Sequence, residues 1–453
     1  MKGASGCRER LSHFAPSGPR GRGRLAGAGF PSTIHSMSSA LLTYDEAAAR
    51  VGAYVRGLSS AGLGAERVEL GHAAGRVLAQ VLAADQDQPP FGRSTRDGFA
   101  CRAEEISRHE LLRVAGATQA GEAPAGPLPL NAVWEIMTGA PVPAGADAVV
   151  MIEHVEREGE RLRLLPPRTM HGGDNVVARG AQARQGDALL PVGTPLGPAQ
   201  IALAATCGYS AVEVFARPRV AILTTGDELV AVDAEPGPGQ IRNSNAPMLA
   251  ALVAAAGGEP WVQQTAADTV ESLDAALRQA VEGDLLLISG GVSAGKFDLV
   301  EPALERMRAR FHFTGVRIQP GKPLVFGEVP RRDGRGLTPF FGLPGNPISS
   351  AATFLLFGAP VLGALGGSRE AGPRFALAQL AKETDKHAKP GLTRFLPARA
   401  KFNPPEGQLP QVETVHWHGS GDLAAFARSN CFVVVPEETS RLDEGAIVRI
   451  LLM

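Results

Sequence analysis

Between Pro218 and Ser368 the sequence repeats one unit three times: a short apolar run, a loop rich in small residues, then a helical stretch. Val220–Leu223 leads into T-T-G-D-E-L, Leu285–Ile288 into G-G-V-S-A-G-K, and Phe340–Leu343 into P-G-N-P. Apolar runs of four residues, bounded by glycine and alternating with helices, specify a three-layer α/β domain with a mainly parallel sheet. Ligands of such sheets lie at the carboxyl ends of the strands, so the three loops are where chemistry is expected. The helical signals agree. Pro247–Ala256 closes on Gly257-Gly258, a C-cap pattern. Leu299–Arg310 is amphipathic. In P-G-N-P, Asn346 is placed to cap a helix whose first residue is Pro347. Val316–Ile318 and Leu324–Phe326 bracket a fourth loop, Q-P-G-K-P.

The flanks read differently. Order begins near Leu41, where Thr43 and Glu46 have the spacing of a capping box. A second helix is expected over Leu70–Val81 and another over Pro198–Cys207. From Leu111 to Leu165 short apolar runs are broken by glycine and proline, which suggests a small inserted β domain. The runs Leu392–Ala398, Cys431–Pro436 and Ala446–Leu452 indicate a C-terminal β domain. The fold class is therefore multidomain α/β and β. The expected division is 1–40 as a leader, 41–102 with 161–212 as an elongated N-terminal domain, 103–160 inserted, 213–368 α/β, and 369–453 C-terminal. In the leader, Lys2 and five arginines (Arg8, Arg10, Arg20, Arg22, Arg24) face one acid, Glu9. That composition cannot bury a core. It fits an organellar transit peptide or, because the basic residues are not amphipathic, an upstream-extended start with Met37 as the working one.

Composition excludes several classes. A formal net charge of −1 over 453 residues gives no basic field for nucleic acid. The four cysteines lie far apart, with no C-x-x-C pair for zinc or a redox dithiol. Phe340–Ser368 has no charged residue, but Pro344, Pro347 and Pro360 interrupt it. It is read as a strand, a loop and a buried helix, not a membrane span.

Seven lysines stand among 45 basic residues, and two of them, Lys296 and Lys322, sit in glycine-rich loops. An ammonium there suits an anion. Exposed N–H groups at helix starts do too. The acids Asp227, Glu228 and Asp298 beside these loops would repel a phosphate unless a cation lay between, and hard Mg²⁺ suits oxygen ligands and phosphate together. Gly290–Lys296 also nearly matches a P-loop, but Phe297 replaces the Ser or Thr that would bind the metal, which argues against a nucleoside triphosphatase.

Seven motifs in order carry a resemblance. They are P-P-F-G-R-S-T-R-D-G-F-A (Pro89–Ala100), I-M-T-G-A-P-V-P-A-G-A-D-A-V-V (Ile136–Val150), T-T-G-D-E-L (Thr224–Leu229), G-Q-I-R-N-S-N (Gly239–Asn245), S-G-G-V-S-A-G-K-F-D (Ser289–Asp298), Q-P-G-K-P (Gln319–Pro323) and G-L-P-G-N-P (Gly342–Pro347). From Leu41 onward the chain resembles the molybdopterin molybdenumtransferases of the MoeA type, which are related to the gephyrin E domain. The resemblance implies a cytoplasmic, elongated homodimer of four-domain subunits. It implies Mg²⁺-dependent insertion of molybdate into adenylylated molybdopterin with release of AMP. It places the molybdopterin adenylyltransferase and molybdoenzyme maturation factors among the partners, and neither nucleic acid nor a membrane.

Residue by residue, the resemblance puts catalytic acids on Asp97, Glu228, Asp268 and Asp298, with Glu228, Asp268 and Asp298 toward the metal. Thr138 falls on the Thr of T-G-A-P, Asp174 on the Asp of G-D-N, and Lys322 on the second lysine of K-P-G-K-P. Substrate-binding positions are Thr225, Gly226 and Asp227 in the first loop and Ser289, Gly290, Gly291, Ser293 and Gly295 in the second. In the third loop they are Pro344, Gly345, Asn346 and Pro347. Arg394 and Ser420 match residues facing the partner subunit's cleft. Gly92-Arg93 stands where the family has Asp-Asn, Arg96 where it has Met, and Gln319 where it has the first lysine. Arg317, two residues earlier, is on the same strand face and could supply that charge. These departures leave room for a paralogue with altered metal or substrate use, or a non-catalytic scaffold of the same fold. The intact Glu228, Asp298 and Lys322 weigh against a scaffold. Molybdate and tungstate are too alike in size and charge to separate from sequence.

Overall fold

The computed structural model describes residues 41–58, 63–291, 299–332, 334, 336–384 and 390–453. Ser293, Gly295, Lys296 and Asp298, and the Arg-rich segment 1–40, lie outside the described residues.

The α/β unit is built on a six-stranded sheet in the order Glu259–Val262, Arg219–Thr224, Leu285–Ser289, Leu337–Leu343, Val325–Pro330, Arg310–Thr314. The first four strands are parallel, and the last two join antiparallel. The central strands are apolar throughout because helices cover both faces. Val220, Ile222, Leu285 and Leu287 share a core with helices Asn245–Ala255 and Pro347–Thr353. Ala221, Leu223, Leu286 and Ile288 share the other with Val270–Ala280 and Val300–Arg306. The latter helix is shorter than expected: Arg308 takes a positive φ of 62° and Arg310 starts a strand.

Helix Tyr44–Gly57 covers the antiparallel edge, where Arg50 Nη1 donates to the His312 carbonyl at 2.8 Å. The capping box forms. Glu46 N–H donates to Thr43 Oγ1 at 3.2 Å, and Thr43 N–H to Glu46 Oε2 at 2.8 Å.

The apolar stretch after Leu343 is one helix from Pro347 to Leu365, and Pro360 does not interrupt it. The turn Phe354–Gly358 adopts the wider π spacing just ahead of the proline. That spacing relieves the clash between the pyrrolidine ring and the preceding turn. By length and composition this helix could cross a membrane. Here most of it is buried inside the molecule.

The N-terminal region is a ladder of three short antiparallel ribbons: Ala65–Glu69 with Ala211–Phe215, Leu82–Ala83 with Ala188–Leu190, and Arg93–Ser94 with Val176–Val177. The chain climbs one side and returns down the other, and the small sheet between them runs Ala148–Met151, Gly98–Cys101, Ala132–Ile136, Leu112–Thr118, Arg161–Leu164, Val155–Glu158. Pro198–Thr206 is helical as expected. Leu70–Val81 is not, since only Leu70–His72 makes a single 3₁₀ turn. Gly71 and Gly75 weaken a helix there. The chain instead bridges other strands, Val77 with Pro195 and Leu78 with Val214.

At the C-terminus five strands close on themselves: Thr393–Lys401, Gln411–Thr414, Phe375–Leu380, Ile447–Leu452 and Cys431–Val435, which pairs back to the first. Closure removes exposed edges. Ile318–Gln319 pairs with Thr393 and Arg394, stitching the α/β unit to this barrel.

Candidate active site

Three loops meet at the carboxyl ends of the parallel strands. Gly290 has φ +98°, and a Cβ there would stand 2.6 Å from the Thr225 carbonyl oxygen. A Cβ on Gly345 would reach Gly290 Cα at 3.7 Å. The loops thus approach backbone to backbone, which requires glycine at 290.

Asn245 ties them. Its Nδ2 donates to Ser289 Oγ at 2.9 Å and to the Gly345 carbonyl at 2.6 Å. Ser350 Oγ donates to the Pro344 carbonyl and lies 3.4 Å from Ser289 Oγ. Beside it Asn243 Nδ2 donates to Thr224 Oγ1 at 2.8 Å, and its Oδ1 accepts from Ala246 N–H at 3.1 Å. Two buried polar atoms remain at the convergence: Thr225 Oγ1 and Asn245 Oδ1 have no hydrogen-bond partner among the described residues. Buried polar atoms are nearly always bonded, so two orphans on facing loops mark a place for a polar ligand.

Acids flank the loops. Asp227 Oδ1 accepts the Asp268 N–H at 3.0 Å. Glu228 folds back over Gly226, where a Cβ would lie 2.5 Å from its Oε2. All three carboxylates are exposed. Among the described residues no group of three or more His, Cys, Asp or Glu side chains is arranged to hold a metal ion. The expected trio needs Asp298, outside that set. The donors present, carboxylate oxygens beside a buried hydroxyl, have the hard-oxygen chemistry that fits Mg²⁺.

The third loop holds a surprise. Asn346 sits at the cap position of helix Pro347–Thr353, but its side chain makes no cap bond. Ile348 N–H donates instead to the Ser420 carbonyl at 3.0 Å. The Ser420 backbone thus seats on the Gly-Asn-Pro turn of the same chain. Arg394 is 4% exposed, and its Nη2 donates to the Thr439 and Ser440 carbonyls at 2.9 and 3.2 Å. It braces the barrel from inside. Lys322 is exposed on a loop pressed against the same helix, where a Cβ on Gly321 would lie 2.6 Å from Thr353 Cγ2. Arg317 does not stand free for Gln319, because its Nη2 is 3.0 Å from Glu437 Oε1.

A second cluster lies in the N-terminal region. Asp97 Oδ1 accepts both the N–H of Thr138, at 2.6 Å, and its hydroxyl, at 2.8 Å. These two bonds hold the Asp97 carboxyl below the usual carboxylate range. Asp174 Oδ2 accepts the His171 N–H at 2.8 Å. The next residue, Asn175, accepts Thr95 N–H at 2.9 Å, which places this turn beside the strand leading to Asp97.

Of the residues singled out in the sequence, the structure brings Thr225–Glu228, Asp268, Ser289–Gly291 and Pro344–Pro347 together at the strand ends and pairs Asp97 with Thr138 in a separate cluster. It missed Asn245 and Ser350. The signal for Asn245 was present in G-Q-I-R-N-S-N; Ser350 is an ordinary helix residue with none.

Comparison with known proteins follows the same lines. Residues 42–208 match the MoeA N-terminal region (domain I and II), 221–364 the probable molybdopterin binding domain, and 380–453 the MoeA C-terminal region (domain IV). A molybdopterin molybdenumtransferase of Nostoc sp. is 34% identical over 402 residues, covering 85% of this chain and 88% of that protein. One from Bacillus subtilis is 35% identical over 390 residues, with 83% and 87% covered. Two solved structures of the molybdopterin biosynthesis MoeA protein of Pyrococcus horikoshii align over 91% of this chain. One has a TM-score of 0.72 at 28% identity and 100% of its own length, the other 0.69 at 32% and 99%. The three matched regions, the length of the shared sequence and the shared fold all agree: this chain belongs to the MoeA family of molybdopterin molybdenumtransferases.

Proposed function

We propose that this chain inserts molybdate into adenylylated molybdopterin, with Mg²⁺ and with release of AMP. The observation that carries the proposal is the pair of orphaned atoms, Thr225 Oγ1 and Asn245 Oδ1, where three loops converge at the strand ends. The unbonded Thr225 hydroxyl and Asn245 Oδ1 would bond the nucleotide, with Ser289, Gly290 and Gly345 shaping the surface it lies against, since the Thr225 and Gly290 N–H groups already donate to the Ser289 and Leu343 carbonyls. Asp227, Glu228 and Asp268 would face it, with Asp298 completing the acids that hold Mg²⁺. Bound there, Mg²⁺ supplies charge neutralisation for the phosphoanhydride and the entering oxyanion. Lys322, exposed on the loop that packs against helix Pro347–Thr353, would draw molybdate as a compact cation. Asp97, kept ionised by Thr138, would act in a cleft shared with a second copy of the chain, alongside Asp174. On this reading the molecule is a cytoplasmic homodimer of four-domain subunits; the inserted domain expected over 103–160 also takes in strands Gly98–Cys101 and Arg161–Leu164, which pair within its sheet.

The test is direct. Purified protein given adenylylated molybdopterin, Mg²⁺ and molybdate should release AMP in step with formation of a pterin that activates a molybdoenzyme apoprotein. ATP should not be hydrolysed, because Phe297 replaces the hydroxyl a P-loop requires. ATP hydrolysis without molybdate-dependent AMP release would refute the proposal.

A further inference from the structure

The parallel strands begin at the end of the α/β unit opposite the three loops, and a cavity of about 470 Å³ opens there. Its walls come from residues 75–77 of the N-terminal region, the entry segment 215–218, the end of helix Asn245–Ala255, the second half of helix Pro347–Leu365, and 370–374 with 451–453 of the C-terminal unit. Its volume is that of a small-molecule site, and junctions between domains are where such sites form.

The lining has two characters. Leu252, Leu355, Leu362 and Leu451 give it an apolar floor. Its charged side chains are Arg76, Arg217 and Arg374 against one acid, Glu370. Arg76 is 9% exposed and fixed in place, bonded to Glu66 and to the Phe215 carbonyl at 2.8 Å. Arg217 and Arg374 are exposed, on the two segments by which the chain enters and leaves the α/β unit. Guanidinium groups recognise carboxylate and phosphate through paired N–H donors. A leucine floor favours an apolar body.

We propose that this cavity binds an amphipathic anion, its apolar body on the leucines and its carboxylate or phosphate head between Arg217 and Arg374. The site is separate from the loops of the proposed reaction and does not depend on it. A ligand here touches all three units at once and stabilises their mutual arrangement by mass action.

The probe is 8-anilino-1-naphthalenesulfonate, added to the full-length protein. Its fluorescence should rise and saturate at one site per subunit. Decanoate should displace it and raise the melting temperature, while decylamine, with the same chain and an ammonium head, should do neither. Arg217→Glu combined with Arg374→Glu should weaken probe binding at least tenfold with unchanged circular dichroism. If that double variant does not fold, Arg374→Glu alone and the decanoate–decylamine pair decide. No saturable site, equal displacement by both amphiphiles, or undiminished binding in the folded charge-reversed protein overturns the proposal.

Discussion

Asp97 with Thr138, and Asn245 with its loops, are both knots of short polar side chains on turns, but they end in different states. Asp97 Oδ1 takes two donors from one residue, and the carboxylate is exposed, ionised and held in place. Asn245 spends its Nδ2 on two other loops and leaves its own Oδ1, and Thr225 Oγ1 nearby, without a partner. The first is a group positioned in advance for use against something that arrives. The second is a meeting of loops with its bonding capacity unspent. Unspent capacity in a buried place costs stability, and a fold retains it where binding recovers the loss. The α/β loops are therefore the better candidate for where the substrate sits, and the Asp97 cluster for what acts on it from outside.

The largest expected effect breaks the second knot. Gly290→Ala puts a Cβ 2.6 Å from the Thr225 carbonyl at a φ of +98°, so the first two loops must separate. A displacement of about 1 Å in a positioned site costs on the order of a hundredfold in rate. AMP release should fall by about that much, measured at saturating substrate, while the oligomeric state and circular dichroism of the parent protein persist. A variant with more than a tenth of normal turnover would show that the convergence of these loops is not what the reaction needs.

A smaller effect sharpens the first knot. Thr138→Val removes the hydroxyl but keeps the N–H, so the Asp97 carboxyl should rise part of the way toward its ordinary value. A carboxylate with a depressed value stays ionised to lower pH, and its contribution is lost as pH falls through that value. The acid limb of the rate–pH profile should therefore move to higher pH in Thr138→Val and return in Thr138→Ser. The rate at neutral pH should change only a few fold. An unmoved acid limb would remove Asp97 from the titrations that control turnover.

The two knots were not equally legible in the sequence. Local signals were: the Thr43–Glu46 capping box, the apolar runs at 220–223 and 285–288, and Pro347 opening a helix are each fixed by neighbours a few residues away. Asn245 was named only as part of a motif, because its partners lie 44 and 100 residues away and its meaning depends on the fold that joins them. The same reason hid the barrel strands Phe375–Leu380 and Gln411–Thr414, whose pairing is long-range. Arg394 carries the residue type of an anion ligand; only burial and the Thr439 and Ser440 carbonyls reveal a brace. Leu70–Val81 failed in the opposite direction. Its apolar spacing is helical, and strand partners from residues 195 and 214 overrode it.

The smallest effect concerns the charge at Gln319. That side chain is exposed at the start of the loop bearing Lys322, and Arg317, at a bend before the short strand Ile318–Gln319 and not on its face, is engaged by Glu437 at 3.0 Å. An engaged guanidinium offers an incoming oxyanion less than a free one. Gln319→Lys should therefore tighten molybdate binding. The position is open to solvent, so the gain is that of a surface charge pair, about 0.5–1 kcal/mol, or roughly two- to fivefold by calorimetry at low salt. Raising the ionic strength should erase most of it. Glu437→Gln offers a second route to the same gain, by releasing Arg317 without adding a charge. If Gln319→Lys does nothing while Glu437→Gln tightens binding, Arg317 is the cation of this loop and Glu437 its restraint. If both do nothing, the oxyanion is drawn by Lys322 alone, and the loop takes part in binding only at its far end.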